Sequence, residues 1–401
     1  MRCDEDGPDG SVNPDVTAVF AADGSPLNIT DYEDILERFV TAFENVEELA
    51  DSLDIDITLR EGLTMQNWVP SSALEDLAEW VVVDYSCAAA SPKNLSVKFY
   101  YTDAYTAFLG PEEDAEGEDY LIADDKGYAF VVQCMARGFL DGVKLNTPVT
   151  TIQTAKDCVC ATVEDGGKYC GDYAITTFSS GVLQAAIREE KDAVHFEPPL
   201  PAAKQNAINS VTLVHYAMIS LIFSTTFWNE TDEDQQIIHY ASNERGEYPH
   251  FTLDKNSPNT ILLGVTEDLA IKVENQPVST TVEEVMVILR KIYGNDIPEP
   301  QNAVVSNWSS DPFVRCSWIL FELGVPEDII DKLLIPVDRL YFAGDSFNQT
   351  QYGYVHGAYG SGVDVAHKIT TKIEQSSSAA ATTRILKGTV IITVLLSLLV
   401  V

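Results

Sequence analysis

The chain has 401 residues, enough for two domains, because single hydrophobic cores stop growing near about 250 to 300 residues. Hydrophobic residues make up 45% of it and aromatic residues 9%, so the formal net charge of −37 belongs to a folded surface and not to a disordered chain. A surface this acidic excludes nucleic acid as a partner and allows a cationic substrate.

The first half of the chain changes from helices to strands. Apolar residues recur at helical spacing between Asp31 and Leu53, and a second helix is predicted over Ser72–Val83. A short helix is predicted over Gly127–Phe139. The strands predicted after it lie near residues 149–153, 157–163 and 168–177, and the turn sequence "EDGGK" joins the last two.

The second half mixes both kinds of element. The stretch "VTLVHYAMISLIF" predicts one long, largely buried strand, because β-branched and apolar residues run through it without a break. Further strands are predicted at Gln236–Tyr240, Pro249–Leu253, Thr260–Val265 and near Val304. A helix is predicted over Thr281–Tyr293. The pattern predicts a mixed α and β fold whose sheets combine distant parts of the chain.

The seven cysteines show no metal-binding pattern. None of them forms a CxxC or another spacing of metal ligands, which argues against a zinc site. Cys158 and Cys160 are predicted to share one face of a strand, and we interpret them as packing residues.

The segment "LYFAGDSFNQTQYGYVHGAYGSG", from Leu340 to Gly362, carries the strongest functional signal. Its first residues predict a buried strand that ends in Gly344 and Asp345, at the strand edge where open α/β sheets bind ligands. Three glycines follow near the start of the next predicted helix: Gly357, Gly360 and Gly362. Glycine costs about 1 kcal/mol in a helix interior. We therefore expect the close approach of a backbone or a flat ligand, and a tightly packed helix is the alternative.

This segment resembles the C-terminal flavin-binding signature of the FAD-dependent amine oxidases, and among them the polyamine oxidases. The resemblance lies in "LYFAGD" and "YGYVHGAYGSG" and in the loop length between them. Other stretches are similar to that family in order and spacing: "KLNTPVTTI", "DYAITTFSSGVLQ", "FEPPLPAAKQNAI" and "NWSSDPF". The similarity covers about residues 17–372.

The resemblance implies an α/β (mixed α+β), two-domain flavin amine oxidase fold. It pairs an incomplete Rossmann-like FAD-binding domain with a mixed-sheet substrate domain. The expected division is residues 1–16 as a disordered start, 17–123 and 191–300 as substrate domain, 124–190 and 301–373 as FAD-binding domain, and 374–401 as a linker and hydrophobic tail.

The resemblance also implies a cofactor, FAD, and two co-substrates, a cationic amine of the polyamine class and O2. In the family the acid after the glycine binds the ribityl or phosphate region of FAD, and the helix start faces the flavin ring. The residues that carry over as cofactor-binding are Val149, Trp308, Gly344, Asp345, Tyr354 and Val355, and those that carry over as substrate-binding are Tyr216 and Tyr352, with Trp308 also bordering the substrate.

The sequence departs from the family pattern in one motif and at three positions. The sequence contains no GxGxxG, the motif that holds the FAD pyrophosphate. Met218 stands where the family has a lysine that holds a water at the flavin, and a thioether cannot donate a hydrogen bond. We interpret Met218 as a core residue. Cys316 replaces a glycine near the flavin, and Gln351 stands where polyamine oxidases tend to have tyrosine.

Two hypotheses follow from these departures. The first is an FAD-dependent oxidoreductase that oxidises polyamine-type amines with O2 to an imine, and then an aldehyde, with release of H2O2. The second is an inactive, N-terminally truncated homologue of the amine oxidases, or an incomplete gene product, at the cell surface. Under the second hypothesis the chain alone would lack a full complement of FAD.

The chain end and the glycosylation signals bear on location. The small residues "SSSAAA" and a polar spacer precede "GTVIITVLLSLLVV", an order that matches a lipid-anchor signal. A marginal C-terminal membrane anchor is the alternative, since these 14 residues are short of the roughly 20 that span a bilayer. Asn-x-Ser/Thr sequons occur at Asn28, Asn94, Asn229, Asn307 and Asn348. The start of the sequence has no apolar leader, so an extracellular or cell-surface location assumes a missing N-terminal signal.

Overall fold

The computed structural model describes residues 17–50, 52–87, 90–98, 126–127, 129–228, 235–254, 257–349, 351–379 and 390–393. The chain divides into two compact units. Unit 1 comprises Met1–Thr106, Val214–Ser310 and Leu320–Gly324, and unit 2 comprises Ala107–Leu213, Asp311–Ile319 and Val325–Val401. The start predicted to be disordered, residues 1–16, lies outside the described residues.

The strands are, in chain order, β1 (Thr17–Ala21), β2 (Val149–Thr154), β3 (Val159–Val163), β4 (Lys168–Gly171), β5 (Tyr173–Thr176), β6 (His195–Glu197), β7 (Thr212–Val214), β8 (Tyr216–Ile222), β9 (Gln235–Ala241), β10 (His250–Asp254), β11 (Thr260–Thr266), β12 (Asn302–Val305), β13 (Trp318–Leu320), β14 (Leu340–Phe342) and β15 (Val390–Thr393).

The α-helices are α1 (Ile29–Ala50), α2 (Leu59–Met65), α3 (Ala73–Glu79), α4 (Ala129–Ala136), α5 (Ser180–Ile187), α6 (Ala202–Asn209), α7 (Glu267–Asn275), α8 (Val278–Tyr293), α9 (Ile329–Leu334) and α10 (Val355–Ala379). A π-helix, Trp80–Cys87, directly follows α3. The mixed α and β content that the sequence predicts is confirmed.

A six-stranded sheet forms the centre of unit 1, in the order β1-β9-β10-β11-β8-β12. Its neighbours pair antiparallel except for β1 and β9, which pair in parallel. Buried and half-buried residues alternate along β8, so Ala217, Ile219 and Leu221 face a core that they share with Val285 and Leu289 of α8. Tyr216, the residues at 218 and 220, and Ile222 therefore occupy the other face of the sheet.

Helices α1 to α3 enclose a second core of unit 1, and an ion-pair cluster lies beside it. The Arg245 guanidinium donates to both carboxylate oxygens of Asp84, at 2.5 and 2.6 Å, and to Glu79 at 3.0 Å. Glu79 also accepts from Arg60 and from the Trp68 indole. Both carboxylates are fully buried, so their charges depend on these donors.

Unit 2 contains a parallel sheet, β14-β5-β15, and a four-stranded sheet, β4-β3-β2-β6. Residues Val390–Thr393 of the apolar tail form β15 against β5, and the rest of the tail lies outside the described residues. Helix α10 extends to Ala379, into the segment expected to be a linker. None of the helices formed by the described residues has the length and apolar content that crossing a membrane requires.

Four sequence-based expectations about secondary structure and cysteines are wrong. The stretch expected to be one long strand is divided into β7 and β8, because β7 pairs with β13 whereas β8 belongs to the six-stranded sheet. The stretch near residues 168–177, expected to be one strand, is divided into β4 and β5, which belong to different sheets. The second predicted helix continues as the π-helix. Cys160 is not a packing residue, because it forms a disulfide with Cys170 across the adjacent strand β4.

Candidate functional site

Strand β14 delivers the signature segment to the edge of the parallel sheet in unit 2. Leu340, Tyr341 and Phe342 are all buried and pair in parallel with β5. The strand ends at Gly344, whose φ of +132° suits glycine, because side-chain-bearing residues rarely adopt that region. Beside it, at the end of β5, the Thr176 hydroxyl is buried and has no hydrogen-bond partner within the described part of the chain.

The start of α10 is fastened to this strand end. The Ser361 hydroxyl accepts from the Gly344 N–H at 2.9 Å and lies 2.8 Å from the Ala358 carbonyl oxygen. Ser361 is buried. Since breaking the hydrogen bonds of a buried hydroxyl is costly, Ser361 ties the first turns of α10 to the glycine turn.

Packing against a neighbouring loop accounts for two of the three glycines near the start of α10. A Cβ on Gly357 would lie 1.8 Å from the Gln351 carbonyl oxygen, and one on Gly360 would lie 3.2 Å from the Asn348 side-chain nitrogen. A Cβ on Gly362 would meet nothing within 4 Å. Close approach of a neighbouring loop therefore explains Gly357 fully and Gly360 in part, and nothing in the structure explains Gly362.

Asn348 organises that loop. Its side-chain oxygen accepts from the Gln351 N–H at 2.9 Å, and its side-chain nitrogen donates to the Gly357 carbonyl at 3.3 Å. Both halves of the amide are thus used inside the signature segment. Sequence reasoning singled out Asn348 only as a sequon.

Asp345 lies between the strand and the loop. Burial raises the pKa of its carboxyl, while hydrogen bonds from the Ser346 backbone and hydroxyl oppose that rise. Its carbonyl oxygen accepts from the Gly353 N–H at 3.2 Å. Tyr354 is half-buried just before α10, and Val355, the first residue of the helix, is 44% exposed. The acid and the N–H groups of the helix start therefore belong to one short segment.

Tyr352 lies in the same loop, and Val149 lies in a different sheet of unit 2. Tyr352 is half-buried in the loop before α10, and burial raises the pKa of its phenol. Val149 is the first residue of β2, in the four-stranded sheet.

Cys316 is packed against the start of α5. Its thiol accepts a hydrogen bond from the Gly181 N–H and contacts the Ser179 hydroxyl, and burial together with the Asp345 charge raises its pKa to about 12. A Cβ on Gly181 would lie 2.8 Å from the Arg315 side chain, so α5 fits closely against this segment. The thiol is therefore protonated and enclosed near neutral pH.

Tyr216, Met218 and Trp308 are brought together in unit 1. The Tyr216 and Trp308 rings are stacked, with centroids 6.3 Å apart and planes 21° apart. Met218 is half-buried on the same face of β8 as Tyr216, opposite the core. Our interpretation of Met218 as a core residue is wrong, because the alternation along the strand turns its side chain away from that core.

Glu274, which the sequence gave no reason to select, anchors the loop that carries Trp308. Its carboxylate accepts from the backbone N–H groups of Ser309 and Ser310, at 2.8 and 3.0 Å. The same loop is tied to β8, because the Ser306 hydroxyl accepts from the Met218 N–H at 3.0 Å. Glu274 lies more than thirty residues before this loop, so no local spacing could have indicated it.

A family model described as flavin containing amine oxidoreductase matches residues 70–370. The chain belongs to this family. The stretch matched includes the residues of both groups just described. The recognition made from the signature segment is thereby confirmed.

Members of the flavin containing amine oxidoreductase family with polyamine oxidase names are similar to this chain. Polyamine oxidase 1 of Zea mays is 29% identical over 374 residues, which covers 87% of this chain and 71% of that protein. Polyamine oxidase 6 of Oryza sativa subsp. japonica is 32% identical over 311 residues, covering 74% of this chain and 60% of that protein. This chain thus spans between 60% and 71% of the length of these two relatives.

The solved structures of this family show the fold. Wild-type putrescine oxidase bound to putrescine superposes with a TM-score of 0.67 at 17% identity, covering 89% of this chain and 81% of that chain. The expected two-domain flavin amine oxidase fold is confirmed at this level. At such low identity the likeness carries no statement about substrate.

The residues at the end of the parallel sheet fit the flavin side of FAD. The unpartnered Thr176 hydroxyl and the Asp345 carboxylate lie at the carboxyl ends of β5 and β14, where a chain of hydroxyl groups such as ribityl finds both a donor and an acceptor. The family implies FAD. The GxGxxG element that would hold its pyrophosphate has no counterpart in the sequence.

Proposed function

We propose that this chain acts as an FAD-dependent amine oxidase on amines of the polyamine class. The observation that carries the proposal is the segment from β14 to α10, in which Asp345 and the helix start at Tyr354 follow one buried parallel strand. The polyamine oxidase names of its relatives support the substrate class. Nothing in the comparisons favours the inactive alternative.

FAD, when bound, supplies the acceptor for a hydride from the carbon beside the amine nitrogen, and O2 restores it with release of H2O2, so that the substrate becomes an imine that water hydrolyses to an aldehyde. The chain supplies binding and orientation. Asp345 accepts hydrogen bonds from hydroxyl groups, and Thr176 offers one further hydroxyl. The N–H groups at the start of α10 present positive potential to an electron-rich oxygen.

In unit 1 the proposal assigns the amine to the face of β8. The Tyr216 and Trp308 rings present apolar and π surface, which suits the methylene chain and the cationic nitrogens of a polyamine. The net charge of −37 raises the concentration of such cations near the protein.

The first test is flavin binding by the 401-residue chain. We expect added FAD to be retained through gel filtration, to lose its visible absorption when a polyamine is added without oxygen, and to regain it with formation of H2O2 in air. The Asp345→Ala variant should retain less FAD, whereas Asp364→Ala, an exposed aspartate on α10, should retain as much as wild type. A folded chain that retains no FAD at all overturns the proposal.

Met218 provides the second test. A lysine there would place a charged donor on the site face of β8, so Met218→Lys should speed reoxidation of the reduced flavin by O2, on the order of tenfold. Ser220→Lys is the matched control, since it puts the same charge on the same face two residues along the strand. Equal rates in both variants would remove the argument about this position.

We further propose a cell-surface or extracellular location. The disulfide Cys160–Cys170 supports it, because such bonds persist in oxidising compartments. Three sequons are exposed on the described residues, at Asn28, Asn94 and Asn307. Loss of mass on enzymatic deglycosylation of the protein from its native source would support this location, and an unmodified chain would oppose it.

A further inference from the structure

The hydroxyl of Tyr216 is directed along the sheet face that carries Met218, toward the neighbouring strand β11. The ring lies across strand β11, and a Cβ on Gly264 would be 2.1 Å from the Tyr216 hydroxyl oxygen. Gly264 of β11 pairs with Met218 of β8, so it lies directly beside the candidate site residues of β8. Glycine is required there because any side chain would fill the space that the phenol occupies.

Tyr85, a residue of the π-helix, covers the other side of the same space. A Cβ on Gly264 would be 2.5 Å from the Tyr85 ring, and the hydroxyl groups of Tyr85 and Tyr216 are hydrogen-bonded. The Tyr85 ring is held between Trp80, with centroids 5.5 Å apart, and His250, with centroids 4.2 Å apart. A π-helix is an uncommon element that often marks a functional site, and here it delivers this phenol.

The hydrogen bonds continue inward from Tyr85. Its hydroxyl is also bonded to the Thr252 hydroxyl, which lies 3.1 Å from the His250 Nε2. His250 is buried, and burial lowers its pKa to about 4, so its imidazole is neutral at ordinary pH. A chain of neutral groups therefore runs from His250 through Thr252 and Tyr85 to Tyr216.

From this geometry we infer that Tyr85, together with Gly264, is a positioning residue that fixes the Tyr216–Trp308 ring pair, and that the amine meets the Tyr216 ring and not its hydroxyl. The part of this inference that concerns amine binding rests on the proposed function. Its physical reason is that the Tyr216 hydroxyl is hydrogen-bonded to Tyr85 and so contributes orientation, whereas the ring remains available for cation–π and apolar contact.

The inference distinguishes two roles for one tyrosine. If its hydroxyl only orients the ring, removing either phenol hydroxyl of the Tyr85–Tyr216 bond breaks the same interaction, and the second removal adds nothing. If the Tyr216 hydroxyl instead binds the amine, its loss acts independently of Tyr85. A double-mutant cycle separates these cases, because interacting pairs are non-additive and independent ones are additive.

The experiment uses Tyr85→Phe, Tyr216→Phe and the double variant of the full chain. Trp308 reports ring position through its own resonance in fluorine NMR of fluorotryptophan-labelled protein, identified among the five tryptophans with Trp308→Phe. This measurement needs neither flavin nor turnover, and FAD-loaded protein gives KM and kcat for a polyamine. We expect each single variant to change the Trp308 signal and to raise KM about three- to tenfold with little change in kcat, and the double variant to equal the singles.

Three further variants separate a local effect from a general loss of structure. Tyr248→Phe removes a phenol hydroxyl of the same unit that bonds Glu284 at 2.6 Å, and it should leave the Trp308 signal and KM unchanged. Thr252→Ser keeps the hydroxyl of the chain and should behave as wild type, while Thr252→Val should match Tyr85→Phe.

Additive changes in the Trp308 signal or in KM, or an effect of Tyr85→Phe no larger than that of Tyr248→Phe, would overturn the inference. If the changes in the Trp308 signal are non-additive but the chain does not oxidise amines, the positioning role of Tyr85 is supported and the proposed function is refuted. Failure of the inference and failure of the proposed function are therefore distinguishable.

Discussion

Gly357 and Gly362 lie on the same helix, and replacing each with alanine should change the stability of the protein in opposite directions. Both are within the first turns of α10, where alanine is favoured over glycine by up to about 1 kcal/mol. A Cβ on Gly362 would meet nothing within 4 Å, so Gly362→Ala should stabilise the protein by about 0.5 to 1 kcal/mol.

Gly357→Ala should do the reverse. The new Cβ would lie 1.8 Å from the Gln351 carbonyl oxygen, far inside the van der Waals contact that begins near 3.4 Å, and the obstructing atoms are backbone. The loop must move away, which breaks the 3.3 Å bond from Asn348 to the Gly357 carbonyl. Overpacking of this kind costs about 1 to 3 kcal/mol and exceeds the gain in helix propensity.

Urea unfolding of the two variants and wild type, followed by circular dichroism, measures both changes. We expect the midpoint to fall for Gly357→Ala and to rise for Gly362→Ala. FAD retention should fall with Gly357→Ala alone, since the displaced loop also positions Asp345 through the Gly353 N–H. If both variants shifted the midpoint in the same direction, the packing argument for Gly357 would be refuted.

Two further predictions concern unit 1. Arg245→Met should destabilise the protein by about 3 to 5 kcal/mol in urea unfolding, because it leaves Asp84 buried without its guanidinium partner and removes one of the donors to Glu79, whereas Arg38→Met, in an exposed pair, should change it by less than about 1 kcal/mol. Burial lowers the pKa of His250 to about 4 from its ordinary value of 6.5, so the unfolded chain gains a proton first as pH falls. Stability should therefore decrease between pH 6.5 and 4, by on the order of 3 kcal/mol from this group. The His250→Gln variant should show a shallower pH dependence of the urea midpoint, and an unchanged slope would contradict the assignment.

The signature segment was predictable because its signals are local. Apolar residues 340–343, the glycine and acid that follow, and the helix beginning at Val355 lie within one short run of sequence, and the structure forms each of them. The packing of Gly357 was foreseen only as one of two possibilities, since sequence indicates that space is needed but not what fills it.

What the sequence did not indicate depends on contacts between distant residues. Glu274 holds the Trp308 loop, and the break between β7 and β8 depends on the pairing of β7 with the distant strand β13. The π-helix is equally invisible, because its extra residue per turn leaves no periodicity in a segment of eight residues. The orientation of the Tyr216 ring over β11 likewise depends on a glycine nearly fifty residues away.

The Asn348 amide has a chemical consequence for the order of events during biosynthesis. Sugar transfer requires access to the side-chain nitrogen, which in the folded chain is engaged with the Gly357 carbonyl. A glycan on Asn348 would replace one of the two amide hydrogens, so the signature loop stays closed only if the remaining N–H is the one directed at the Gly357 carbonyl. Sugar at this position would therefore have a single permitted orientation, set by the signature loop itself.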